Sequence, residues 1–242
     1  VAAAAGGAAV TLACLLVLRD GLRRRRLLLL GLTFGLALLA KMHLLAFWPL
    51  IELLLLYRAL VPAASESRPR PRPLLAWLRA SGWVLGPAVL LAGWWFLRNQ
   101  LLYGDPTGFQ EVTALWGVRN PWESVGLAWS ELPNAWSSLW GRFGYGQIPL
   151  PAWVYTALGW AAGLGLLGAL PGAIRRREAE PATRRVSLAL LALVLLTFAG
   201  VLFGYMLLSP AGSMGRFFFP ALPALAALLA FGWAEWARIG LR

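Results

Sequence analysis

Few side chains in this chain could do chemistry, and most of them are cations. Gly-Arg-Phe occurs twice, at Gly141-Arg142-Phe143 and Gly215-Arg216-Phe217. A guanidinium offers a planar fork of donors suited to phosphate. Lys41, at the tip between two short apolar runs, occupies the position that Arg216 holds at the mouth of the last one, and Arg98 closes a Trp-rich run. A plainer reading competes, because cations are ordinary where helix ends leave lipid, and spacing alone favours it. Asp105 could be a base or metal ligand, yet Asp105-Pro106 also makes a turn. Glu111 and Glu123 could simply be solvated, and His43 reads as a polar cap. The glycines of 141–146 resemble a phosphate loop only superficially, since no strand leads in and no Gly-Lys-Ser follows. With 1 Cys, Cys14, and 1 His, an internal disulfide and the usual His/Cys zinc sites are excluded. The only admissible metal is an oxygen-ligated Mg or Mn, and no cofactor is specified.

Glu52 is different in kind, because it falls inside an apolar run nine residues beyond His43. At 1.5 Å per residue that is roughly 13 Å deep, where an unpaired charge costs several kcal/mol. Such a carboxyl is either protonated or paired. A proton-coupled role is one reading. The plainer one is a neutral carboxyl bonded to a neighbouring helix, preferred because no second acid or basic partner lies within another run.

These groups must be positioned by elements that live in lipid. Of the 242 residues 60% are hydrophobic and 13% charged, against usual values of about 45–50% and 25%. Apolar runs at 1–18, 27–40, 44–57, 82–97, 152–170, 186–206 and 217–234 predict about seven transmembrane helices in an all-α polytopic membrane protein, one transmembrane region over 1–242. The net charge of +12 would suggest nucleic acid in a soluble protein. Here its placement argues against that partner. Arg19 and Arg23 to Arg26, then Arg58, Arg68, Arg70, Arg72 and Arg79, then Arg175 to Arg177, Arg184 and Arg185, and last Arg238 and Arg242, fall in alternate loops. Seven spans put all of them on one face, which the positive-inside rule makes cytoplasmic in a bacterial-type plasma membrane. That alternation requires a break at Lys41-Met42-His43, which leaves a short second span of roughly 21 Å.

Residues 98–151 then form an extracytoplasmic loop, and 61–73, with its repeated Arg-Pro, an extended cytoplasmic linker. Within the loop, Asn120, Pro121 and Glu123 carry the signature of a helix start. Trp122, Val125, Trp129, Leu132, Trp136 and Leu139 follow at spacings of three and four, predicting an amphipathic interfacial helix bent or restarted at Pro133.

Three segments, in this order, carry a resemblance: Leu38-Leu39-Ala40-Lys41; Trp94-Trp95-Phe96-Leu97-Arg98-Asn99 running into Leu102-Tyr103-Gly104-Asp105-Pro106; and Gly215-Arg216-Phe217-Phe218-Phe219-Pro220-Ala221-Leu222-Pro223. Together they resemble the GT-C superfamily of polyprenyl-phosphate-sugar glycosyltransferases, relatives of the protein O-mannosyltransferases and aminoarabinose transferases. The resemblance implies a membrane enzyme that moves a sugar from a polyprenyl-phosphate donor to an acceptor glycan, lipid or protein at the outer face. It implies Lys41, Arg98 and Arg216 near the carrier phosphate, with His43, Asp105, Glu111 and Arg142 as further polar candidates. The family's base lies in a first outer loop, which on this reading precedes residue 1. The chain would then be a carboxy-terminal fragment, inactive as it stands. Family members often read Gln-Gly-Arg-Tyr where this chain reads Met214-Gly215-Arg216-Phe217.

Two rivals come from other classes. A transporter or flippase would couple through Glu52 and Pro49, and predicts an inverted repeat with a second acid-bearing span, which the sequence lacks. A non-catalytic assembly subunit would use the tryptophan stripe to dock a partner.

Overall fold

In hydrocarbon a backbone N–H or C=O finds no water, so apolar runs become helices that pair these groups within themselves. The structure, a computed structural model, describes residues 1–63, 72–143, 147–174, 182–210 and 214–240. Among the described residues the chain forms α1 (Ala2–Asp20), α2 (Arg24–Ala40), α3 (Phe47–Leu60), α4 (Pro73–Tyr103), α5 (Phe109–Trp116), α6 (Val125–Trp140), α7 (Ala152–Ile174), α8 (Ala182–Leu208) and α9 (Leu222–Gly240). Short 3₁₀ segments at Met42–Ala46 and Gly215–Ala221 lead into α3 and α9. A two-residue ribbon, β1 (Arg142–Phe143) and β2 (Ile148–Pro149), pairs Arg142 with Pro149 and Phe143 with Ile148. Six helices, 3₁₀ entries included, are long and apolar enough to span a membrane. The protein is an all-α polytopic membrane protein. The remaining apolar helix, α2, has 17 residues and is about 26 Å long, short of the roughly 30 Å core.

The chain divides into two compact units, Val1–Leu115 and Trp116–Arg242, with the boundary in the last turn of α5. In the first unit α2 lies between α1 and α4. A Cβ on Gly31 would collide with the carbonyl of Val84, and one on Gly35 would lie 2.9 Å from Ala88 Cα. Small residues four apart thus bring two backbones together, as suits helices in lipid, where packing replaces the hydrophobic drive. Both pairs rise together in number, so α2 and α4 run parallel. The break at Lys41 is present, the residue being extended at φ −159, ψ 124.

Arginines gather at one end of this unit. Asp20 accepts from Arg19 and Arg26, both at 2.7 Å, and Arg24 stacks on Trp83 at 4.1 Å. Arg58, expected in a loop just past the 44–57 run, instead lies in α3 and is 4% exposed. It donates to the carbonyl of Leu18 near the end of α1, and at 3.2 Å to that of Val61, just past α3. Helix ends leave carbonyls without intrahelical donors, and a guanidinium satisfies two at once. Arg79, also expected in a loop, lies in α4, which runs nine residues before and six beyond the predicted 82–97. Residues 64–71 of the expected linker, including Arg68 and Arg70, and Arg175 to Arg177 and Arg242 lie outside the described residues.

In the second unit α7 crosses α9 with their backbones in contact. A Cβ on Gly168 would lie 2.5 Å from the carbonyl of Gly232, and one on Gly232 would collide with that of Gly165. Helix α6 is a single segment through Pro133, not restarted there. Its covered side is Ala128 and Ala135, packed against Leu202, Phe203, Met206 and Leu207 of α8. The predicted stripe is split: Trp122, before the helix, and Trp129 are 87% and 61% exposed, whereas Leu132, Trp136 and Leu139 are half-buried, Leu132 against the same cluster. The helix-start signal acts one turn early: Asn120 Oδ1 accepts from the Trp122 amide at 3.2 Å and Asn120 Nδ2 donates to Glu123 at 2.8 Å, in a turn before α6 opens at Val125.

Candidate functional site

In the first unit the candidates sit at helix ends. Lys41 terminates α2, its amide donating to the Ala37 carbonyl at 3.0 Å and its own carbonyl accepting from Leu44 at 3.1 Å. Its side chain is exposed and no described residue bonds it. His43 follows, half-buried in the 3₁₀ segment. Arg98 is exposed near the end of α4, with only a long 3.4 Å contact to Asn99 Oδ1. No bond joins Lys41 to Arg98.

Asp105 is occupied structurally. Glycine at 104 takes the left-handed φ of 68 that ends α4. The chain reverses, and Asp105 Oδ1 accepts from the amide and hydroxyl of Thr107 at 2.9 and 2.7 Å while Oδ2 accepts from the Gln110 amide at 3.0 Å. The carboxylate therefore caps α5. The Thr107 hydroxyl, then the Gln110 and Thr107 amides, stabilise the charged form and lower its pKa from 3.8 to about 2. Glu111, in the first turn of α5, is exposed and bonded to no described residue.

In the second unit the two Gly-Arg-Phe tripeptides meet the same end of α6. Gly215 rests on the backbone of that helix, where an added Cβ would lie 2.5 Å from Leu139 N and 2.7 Å from Ala135 O. Its amide donates to Ser138 Oγ at 2.7 Å. Arg142 follows the last residue of α6 by two. Tyr155 secures this turn, its hydroxyl donating to the Gly141 carbonyl and accepting from the Leu150 amide, both at 2.7 Å. Arg142 Nε and Trp140 Nε1 are buried N–H donors with no hydrogen-bond partner among the described residues. Arg216 is exposed, its guanidinium 5.7 Å from the Phe217 ring, which stacks on Tyr205 at 3.9 Å. Residues 144–146 and 211–213 lie outside the described residues.

Other polar residues matter more than their spacing suggested. Arg119 pairs with Glu131 at 3.0 Å, and also donates to the Met206 carbonyl at 3.2 Å and, through its amide, to that of Leu208 at 2.8 Å, closing the end of α8. Arg184 and Arg238 converge on Glu235 at 3.2 and 2.8 Å. Only the long-range contact reveals these roles. Glu52 accepts on one oxygen, Oε2, from Trp77 Nε1 at 2.8 Å and Ser81 Oγ at 2.7 Å, both on α4. It is thus bonded to a neighbouring helix. Among the described residues no group of three His, Cys, Asp or Glu could hold a metal ion.

The chain matches no family profile, no curated protein and no solved structure.

Proposed function

We propose that this chain works as part of a membrane glycosyltransferase resembling the GT-C superfamily, taking a sugar from a polyprenyl-phosphate carrier and passing it to an acceptor glycan, lipid or protein. The carrying observation is the division among its cations. Arg58, Arg119, Arg184 and Arg238 are engaged by carbonyls or carboxylates, whereas Lys41 and Arg216, at the ends of apolar helices, and Arg98, near the end of α4, are exposed and bonded to no described carboxylate. Loss of a lipid phosphate develops negative charge at the lipid boundary, and a preorganised cation there lowers the barrier. Arg216 offers two donors in one plane, and Lys41 a point charge. In this reading the Arg19–Arg26 end of the first unit faces the cytoplasm of a bacterial-type plasma membrane, and Lys41 the opposite side.

The test is binding and transfer by the reconstituted full-length enzyme of which this chain would be part, carrying Arg216→Ala, Arg216→Lys or Lys41→Ala. We expect Arg216→Ala to weaken polyprenyl-phosphate binding, seen by native mass spectrometry, and to slow transfer by roughly 10²-fold or more. Arg216→Lys should restore part of both. Wild-type binding and transfer in both alanine variants would overturn the reading.

A further inference from the structure

At one end of the first unit the described residues hold more cations than they neutralise. Helix α2 opens with Arg24, Arg25 and Arg26 behind Arg23, and no acid stands in its first turn. The dipole of a helix start disfavours cations there. The register that sets Gly31 against Val84 and Gly35 against Ala88, carried back five residues, brings Arg79 of α4 level with this turn. Two acids lie near. Asp20 is taken by Arg19 and Arg26, both at 2.7 Å, and Glu52 accepts from Trp77 and Ser81. Each of those donors is two residues from Arg79, and at about 100° per residue both lie on the far side of α4 from it.

One of these arginines is preorganised. Arg24 lies over the Trp83 ring, its guanidinium carbon 4.1 Å from the centroid. Stacking engages the face of a guanidinium and leaves the N–H groups of its rim to donate outward. Arg79 precedes Trp83 by one turn on the same face of α4. Arg24, Arg25 and Arg79 are exposed and bonded to no described carboxylate. Beyond Trp83 that face of α4 becomes apolar and open: a Cβ added to Gly86 meets nothing within 4 Å, and Leu90 is 84% exposed. Cations, then a tryptophan, then bare apolar surface follow the order of headgroup, boundary and acyl chain in a bilayer. We propose that Arg24, Arg25 and Arg79, with Arg24 set on Trp83, bind the headgroup of one anionic phospholipid, whose acyl chain lies along Gly86 and Leu90. The proposal is independent of the glycosyltransferase reading, whose cations are Lys41, Arg98 and Arg216.

Native mass spectrometry tests it, on the full chain in detergent equilibrated with equal amounts of phosphatidylglycerol and phosphatidylcholine, which share a phosphate and differ in net charge. We expect one phosphatidylglycerol to be retained in preference. Arg24→Gln and Arg79→Gln should each lower its apparent affinity by about fivefold. Arg185→Gln, which removes the same charge from an exposed site on α8, should leave it unchanged. Trp83→Leu keeps an apolar side chain without a ring to stack on, so it should weaken binding alone and add little to Arg24→Gln. Equal retention of phosphatidylcholine, or displacement of the lipid by inorganic phosphate at constant ionic strength, would overturn the proposal. So would a loss in Arg185→Gln matching those in Arg24→Gln and Arg79→Gln, or fully additive losses from Trp83→Leu and Arg24→Gln.

Discussion

Substitution of Gly215 by alanine tests whether the α6 contact positions Arg216. The added Cβ would stand 2.5 Å from Leu139 N and 2.7 Å from Ala135 O, whereas ordinary contact begins at 3.4 Å. The 3₁₀ segment and α6 must then part by about 0.9 Å, and the atoms in the way are backbone, which cannot rotate aside. Overpacking of this kind costs about 1–3 kcal/mol, and loss of the Gly215 amide bond to Ser138 Oγ adds about 1 kcal/mol. A control exists in the same unit. At Gly204 in α8 an added Cβ meets nothing within 4 Å, so alanine there should stabilise by up to about 1 kcal/mol through helix propensity. Equilibrium unfolding in mixed micelles, followed by circular dichroism, should separate the two glycine variants by at least about 2 kcal/mol. Ser138→Ala should cost about 1 kcal/mol alone and less when combined with Gly215→Ala, since both remove the same bond. Gly215→Ala should also weaken polyprenyl-phosphate binding. Equal stability of the Gly215 and Gly204 variants would refute the close approach, and unchanged phosphate binding would refute its bearing on Arg216.

Asp105 predicts a pH effect with a definite sign. Its folded pKa, about 2, lies below the ordinary 3.8, so its contribution is fully present above 3.8 and disappears as pH falls toward 2. Amide exchange at Gln110 should accelerate through that window in the wild type, and Asp105→Asn should abolish the pH dependence. Arg119→Gln should destabilise the second unit by about 2 kcal/mol, because bonds from a charged donor to Glu131 and the Met206 carbonyl are lost together. Impermeant thiol labelling in a Cys14→Ser background should mark Lys41→Cys from outside cells and Arg25→Cys only after permeabilisation. The reverse pattern would invert the proposed orientation.

The helices were legible because lipid imposes one rule on every apolar run, and the Arg clusters located the break at Lys41 that hydropathy alone would have bridged. Their ends were not legible. Predicted spans stopped where polar residues began, yet α4 continues to Pro73 and Arg79 is within it, since a helix may leave the membrane without ending. The stripe on α6 was read from its largest side chains. In the structure the covered positions are the small ones, Ala128 and Ala135, because close approach to α8 and to Gly215 needs little volume. Glu52 was identifiable from its depth. Its donors were not, because Trp77 and Ser81 precede the predicted fourth span and reach Glu52 only through the pairing of α3 with α4.

The same distinction governs the cations. Sequence treats Arg58, Arg119 and Arg216 alike, as arginines at the margins of apolar runs. Helices in lipid end with carbonyls that need donors, and an arginine close to such an end is drawn to it. The Arg58 guanidinium reaches the carbonyls of Leu18 and Val61, and that of Arg119 the Met206 carbonyl at the end of α8. Arg216 begins a helix instead of ending one. The groups nearest a helix start are N–H donors, which repel a cation and attract an anion. No acceptor among the described residues bonds the Arg216 guanidinium, and on the proposed reading its fork is what a carrier phosphate would meet. Moving an acceptor into its reach should therefore silence it: Phe217→Glu should pair with Arg216 and reduce polyprenyl-phosphate binding as much as Arg216→Ala does, whereas Phe217→Gln should reduce it less. Equal binding by the Glu and Gln variants would show that the free charge of Arg216 is not what the phosphate meets.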